Sequence, residues 1–425
     1  MIYKKTALDN GLNVVSIPMP HMKSVSLGIW VAVGGRYEDE ENAGISHFIE
    51  HLLFKGTLTR TSRDIKTEIE SKGGSLNAFT GEECTCFLAR MPREHWKAAF
   101  DVLSDMVVSP RLDDKDMEKE RLIILEEIKM YLDLPNQHVH EILNGLMWPG
   151  QPLGMNLSGT ARSVKSMALS DIRSYKERYY MASKIIVIAA GALEHRDLED
   201  KASSAFSSMD SRRASGFEKA NAGQNAPRFK VENKKTKQTH IVLGFHALPK
   251  GDPDIYILSL LNIIMGGNMS SRLYHEIRER SALAYEIHSY LRKMSDAGAF
   301  AVSAGVDNRK AVKATELILR ELVKISKEGV SDLELSNAKD FYTGQFELAL
   351  EETMDRMLWA GDNLVTIGKV PEVDDVFRRI RKAGKDDIAR MAGRIFRSKG
   401  VNFAAIGPID KKAEKEIKGL SPILQ

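Results

Sequence analysis

Apolar residues recur along this chain with two different periods. "SVSLGIWV", from Ser24, is short, apolar and β-branched, the pattern of a strand packed on a core. "NAGISHFIEHLLFKGT", Asn42 to Thr57, instead spaces Ile45, Phe48, Ile49, Leu52 and Leu53 as the buried stripe of a helix, with Asn42 expected as its N-cap and Gly56 as its stop. The strand pattern returns in "HIVLGFHA" from His240, an offset of 216. Near the end of each half, "SKIIVIAAGAL" from Ser183 is echoed by "SKGVNFAAIGPI" from Ser398, an offset of 215. Between these markers both halves run strand, helix, helix, strand, then a long helical stretch closing in a final strand. The pattern is that of a duplicated unit of about 210 residues. A polar, weakly periodic stretch separates the copies, which predicts halves at 1–212 and 233–425 joined by a linker at 213–232. Strands interleaved with helices predict α/β or α+β layers.

Two histidines and a glutamate interrupt the apolar helix. At 3.6 residues per turn, His47 and His51 project from one face with Glu50 beside them. Imidazoles one turn apart are a common way to hold Zn²⁺, and a neighbouring carboxylate that does not ligate can take a proton from the attacking water. The spelling H-x-x-E-H is that of the inverted zincins. Adding 216 to His47 lands on Ile263, in "LNIIMGGNM", which keeps the apolar helix and drops the polar groups. Packing therefore does not require them.

A catalytic zinc usually has three protein ligands. In "DMEKERLIILEEIKMYLDLP", Asp116 to Pro135, a helical wheel centred on Glu127 places Ile123, Ile124, Met130 and Tyr131 within about 60° of it. A lone carboxylate on such a face calls for a cation, so Glu127 is the candidate third ligand. Glu120, two turns earlier on the same line, is placed to orient a ligand imidazole. His138 and His140 form an H-x-H among polar neighbours and are expected to be solvated or supporting residues.

Composition narrows the rest. With 425 residues the prior is about two to four domains. The 61 basic and 58 acidic residues, net +3 and scattered, give no case for nucleic acid or a membrane surface as partner. The longest apolar run, Ile185 to Leu193, is far short of the roughly 20 residues that span a bilayer. No secretory or transit pattern opens the chain, so a cytoplasmic location is expected. The two cysteines, Cys84 and Cys86, alternate on a strand-like segment, poorly placed for a disulfide or a metal site and best read as structural.

These motifs resemble the pitrilysin family of zinc peptidases, within it the branch of the mitochondrial processing peptidase and its bacterial relatives. The likeness rests on "GISHFIEHLLFKGT", on "GGSLNAFTGEECTCF" and on "EKERLIILEEIKMYLDLP", where Glu127 stands 76 residues after His51 and Glu120 matches the family's accessory glutamate. In "GGNMSSRLYHEIRERSALAYEIHSY" it matches Arg278 and Tyr285 to an arginine and tyrosine that clamp substrate. The resemblance implies an α+β fold of two homologous halves, each a mixed, mainly antiparallel sheet with helices packed on one face, forming a clamshell around a chamber. It also implies a homodimer, Zn²⁺ as cofactor, and a peptide substrate held along Ser75 to Thr80 by Asn77, Ala78 and Phe79.

The reading that follows is a zinc endopeptidase cutting flexible or unfolded peptides bound as an added β-strand. Zn²⁺ sits on His47, His51 and Glu127, Glu50 is the general base, and Glu120, Arg278 and Tyr285 support. The rival readings are a catalytically silent structural subunit of the same fold, whose motifs would tend to be eroded, and a peptide-binding clamp that retains peptides without cutting them.

Overall fold

A computed structural model describes residues 3–212 and 215–424. The chain forms two compact units, one from Met1–Lys129, Met155–Glu218 and Glu347–Val370, the other from Met130–Gly154, Lys219–Phe346 and Pro371–Gln425. Of the stretch expected as a linker, positions 213 and 214 lie outside the described residues, and from Arg228 onward it is strand.

The first unit is built on six strands: β1 (Lys4–Ala7), β2 (Asn13–Pro18), β3 (Ser24–Val31), β4 (Ser75–Thr80), β5 (Thr85–Pro92) and β6 (Ile185–Gly191). Their order is β1-β2-β6-β3-β5-β4, with only β2 and β6 parallel. The second unit has β7 (Arg228–Asn233), β8 (Thr239–Ala247), β9 (Ala284–Lys293), β10 (Gly298–Val306) and β11 (Asn402–Gly407) in the order β7-β11-β8-β10-β9, with only β7 and β11 parallel. Strand for strand, these take the places of β2, β6, β3, β5 and β4. The sequence repeat is thus a repeat of topology in an α+β fold.

In each unit one sheet face carries the main core. Val25, Leu27, Ile29 and Val31 of β3 pack with Phe48, Ile49 and Leu52 of the His47 helix and with Phe100 and Leu103 of helix Trp96–Val108. Helices of the same half cover this face, as expected. The opposite face is covered too, and by the other half of the sequence. Val15, Ile17, Trp30, Ile186 and Ile188 pack against Met357, Ala360 and Leu364 of helix Thr353–Ile367. In the second unit Val242, Ala301 and Ile406 pack reciprocally against Val139, Leu143 and Met147 of helix Pro135–Met147. Full cover explains why β6, "IIVIAAG", is apolar throughout and buried along its length rather than alternating. Cys86 is buried in this second layer and Cys84 packs against it, neither of them in a disulfide among the described residues. No helix among the described residues is long and apolar enough to cross a membrane.

Candidate metal centre

The helix with His47 and His51 spans Ile45–Leu53. Its cap differs from the sequence reading: Asn42 turns back to accept from the Asp39 N–H, and Gly44 occupies the N-cap with φ 92°. The left-handed backbone and a Ser158 carbonyl oxygen 2.7 Å from where a Cβ would stand leave room only for glycine. The free N–H groups of the first turn go instead to Glu38, whose buried carboxylate accepts from Gly44 at 2.7 Å and Ser46 at 2.9 Å. Burial pushes the Glu38 carboxyl above its usual range, while these N–H groups pull it back. Phe54 caps the other end, and Gly56 lies two residues beyond, at φ 141°.

Helix Asp114–Asp133 brings Glu127 to the histidines. Glu127 Oε2 lies 3.8 Å from His47 Nε2 and 3.6 Å from His51 Nε2, and the three ligand atoms all fall within 4.8 Å of one another. These separations exceed hydrogen bonds, yet two ligands each about 2.0–2.1 Å from a tetrahedral ion stand roughly 3.3–3.5 Å apart. No other group of three potential ligands this close occurs among the described residues.

The electrostatics suit the same use. His47 Nδ1 is buried without a hydrogen-bond partner, and burial, with the neighbouring His51, drives the His47 pKa down to about 4. The ring is therefore a neutral lone-pair donor near pH 7. Burial would lower His51 as well, but its bond to Glu120 and the nearby carboxylates of Glu127 and Glu50 carry it upward. A cation and a proton compete for that ring. His51 Nδ1 lies 3.1 Å from Glu120 Oε2, which directs Nε2 toward Glu127, and the other Glu120 oxygen is 2.6 Å from Lys55 Nζ. Burial would raise Glu120, but His51 and Lys55 hold it below the usual carboxylate range.

The helical wheel around Glu127 needs correction. Ile123 and Met130 are 43% and 49% exposed, Glu127 is half-buried, and the buried stripe runs through Met117, Glu120, Ile124 and Ile128. Glu120 is the carboxylate immersed in the core. Glu127 stands at the stripe's edge, and its place follows from the two imidazoles facing it.

Glu50 lies at the end of β4, where Thr80 Oγ1 donates to its Oε2 at 2.5 Å. Burial raises the Glu50 pKa, against the Thr80 bond and the nearby His51. β4 is an edge strand that carries the expected Asn77, Ala78 and Phe79. Asn77 Oδ1 accepts from the Ala78 N–H at 2.8 Å, and Phe79 meets the Trp30 ring edge-on at 5.5 Å. In the second unit Arg278 lies in the π-type helical segment Tyr274–Arg280, its guanidinium 4.7 Å over the Tyr274 ring. Tyr285, near the start of β9, is 73% exposed. His138 is bracketed by Glu141 and Glu232, and His140 bonds the Tyr290 hydroxyl, all within the second unit and none of them a ligand of the cage. Glu38, Lys55 and Thr80 escaped the sequence reading. Their partners lie 6 to 65 residues away, across turns that no local pattern specifies.

Comparison with known proteins identifies the family of the chain. Residues 13–161 match the insulinase domain of peptidase family M16, and residues 166–342 match the M16 inactive domain. The second match falls on the half where Ile263, Gly266 and Gly267 stand in place of the histidines and glutamate. An uncharacterized zinc protease of Bacillus subtilis is 33% identical over 92% of this chain and 95% of its own length. Another, from Streptomyces coelicolor, is 33% identical over 97% and 91%. The fold matches the crystal structure of a protease from Helicobacter pylori with a TM-score of 0.90 at 22% identity, covering 96% of this chain and 99% of that one. The chain belongs to peptidase family M16, the family of pitrilysin.

Proposed function

We propose that this protein is a zinc-dependent endopeptidase acting on flexible or unfolded peptides. One observation carries the reading: His47, His51 and Glu127 bring three ligand atoms within 4.8 Å of one another, with Glu50 on the same helix and free of the cage. Those three residues would hold Zn²⁺, which when bound supplies a Lewis acid and makes hydroxide accessible near neutral pH. Glu50 takes the proton of the attacking water and passes it to the leaving amine. Thr80 fixes one Glu50 oxygen and leaves the other for that transfer. Glu120, steadied by Lys55, keeps the His51 ring in the ligating tautomer.

The open edge of β4 offers unpaired backbone groups to an extended peptide, and pairing of this kind reads main chain more than side chain. Asn77, Ala78 and Phe79 would line that strand, and broad selectivity follows. Arg278 and Tyr285 are assigned to substrate binding on the second unit through the family likeness, which also suggests a homodimer; sedimentation of the full chain tests the latter.

The test of the activity is mass spectrometry of products from a mixed peptide library. Cleavage that disappears on chelation and returns with zinc supports the reading. Peptides retained intact by zinc-loaded protein would favour a binding clamp of the same fold, and inertness without retention a structural subunit.

A further inference from the structure

The first unit has a cleft of about 910 Å³ where β3 begins, β5 ends and β4 begins. Its wall includes His21, Lys23, Ser75, Arg90, Arg93 and Glu94. The charges are unevenly matched. Arg90 is paired with Glu352 at 3.0 Å, but among the described residues neither Lys23 nor Arg93 has an ion-pair partner. The Arg93 N–H donates to the Lys23 carbonyl at 2.9 Å, so the chain fastens two exposed cations side by side. Lys23 leads into β3 and Arg93 follows β5, so these like charges on neighbouring backbone segments repel, and an anion between them relieves the repulsion. Glu94, the one acid in the wall, pairs with neither.

The position gives this cleft a use. Ser75 is both part of its wall and the first residue of β4, while Thr80 at the other end of β4 holds Glu50. Five residues of strand span about 17 Å. A peptide added antiparallel to the open edge runs from its scissile bond near Thr80 toward its own C-terminus at Ser75. We propose that this cleft is a specificity subsite for a carboxylate about five residues to the C-terminal side of the scissile bond. The carboxylate is an Asp or Glu side chain, or the C-terminus of a peptide that ends there. The proposal rests on the edge-strand reading of substrate binding and names the class of peptide it favours. Lys23 and Arg93 supply the attraction, which acts on binding and not on the chemical step.

The test reads binding apart from cleavage. Fluorescence anisotropy of the zinc-loaded full-length Glu50→Gln protein compares otherwise neutral peptides carrying one Asp at successive positions, their Asn counterparts, and free against amidated C-termini. The expected result is about three- to tenfold tighter binding for the carboxylate at one register, whether from side chain or terminus. That preference falls as ionic strength rises, and Lys23→Gln with Arg93→Gln removes it. Equal binding of acidic and neutral peptides, or a preference that survives the double substitution, overturns the proposal. An acid preference without hydrolysis by the unsubstituted protein sinks the peptidase reading and leaves the subsite standing.

Discussion

Glu120 gives its two oxygens to different partners, Lys55 at one and His51 at the other. Removing either contact loosens the His51 ring without removing a ligand. Lys55→Met or Glu120→Gln should weaken zinc binding about 10- to 100-fold, measured by competition with a chelator of known affinity, while the fold persists. At this scale the sequence showed what spacing can show. His47 and His51 lie one turn apart on a helix whose apolar stripe is plain, and the duplicate half, with Ile263 in the matching place, marks them as surplus to packing. The Glu127 environment was misjudged because a wheel ranks the faces of one helix and cannot say how much of the apolar side a neighbour covers. Ile123 and Met130 are apolar and still exposed.

Among the elements, helix Asp332–Ala349 shows how a terminus is tied to its surroundings. Ser331 and Glu334 exchange side-chain-to-backbone bonds at its start, and the Glu334 carboxylate also takes two bonds from Arg272, at 2.6 and 3.0 Å. Burial would raise Glu334, but Arg272 and Ser331 outweigh it and hold the pKa at about 2. In the unfolded chain the group titrates near its ordinary value of about 4.3. The stabilisation is therefore complete above that value and is lost as pH falls through it toward about 2. Thermal melts of the wild type and Glu334→Gln should differ most near neutrality and converge in acid; a gap that persists undiminished at the lowest pH contradicts the assignment. Ser331 and Glu334 are local to the helix start, whereas Arg272 lies 62 residues away and no local pattern names it.

For the whole molecule, the duplication was legible as offsets of 215 and 216, and the two sheets repeat the same strand order. The exchange of helices Pro135–Met147 and Thr353–Ile367 was not legible, since either amphipathic helix would satisfy either sheet and no periodicity names the partner. Close contact marks the exchange in the first unit: a Cβ on Gly361 would stand 2.1 Å from the Trp30 ring. Alanine gains up to about 1 kcal/mol of helix propensity there, but overpacking a buried indole costs about 1–3 kcal/mol, so Gly361→Ala should lower the melting temperature. The catalytic account meets its most direct test in the Glu50→Gln protein, assayed on the peptide library after its metal content is measured. It should carry as much zinc per chain as the unsubstituted protein, with hydrolysis reduced about 10²- to 10⁴-fold. Hydrolysis at the unsubstituted rate by that zinc-loaded variant would contradict the account.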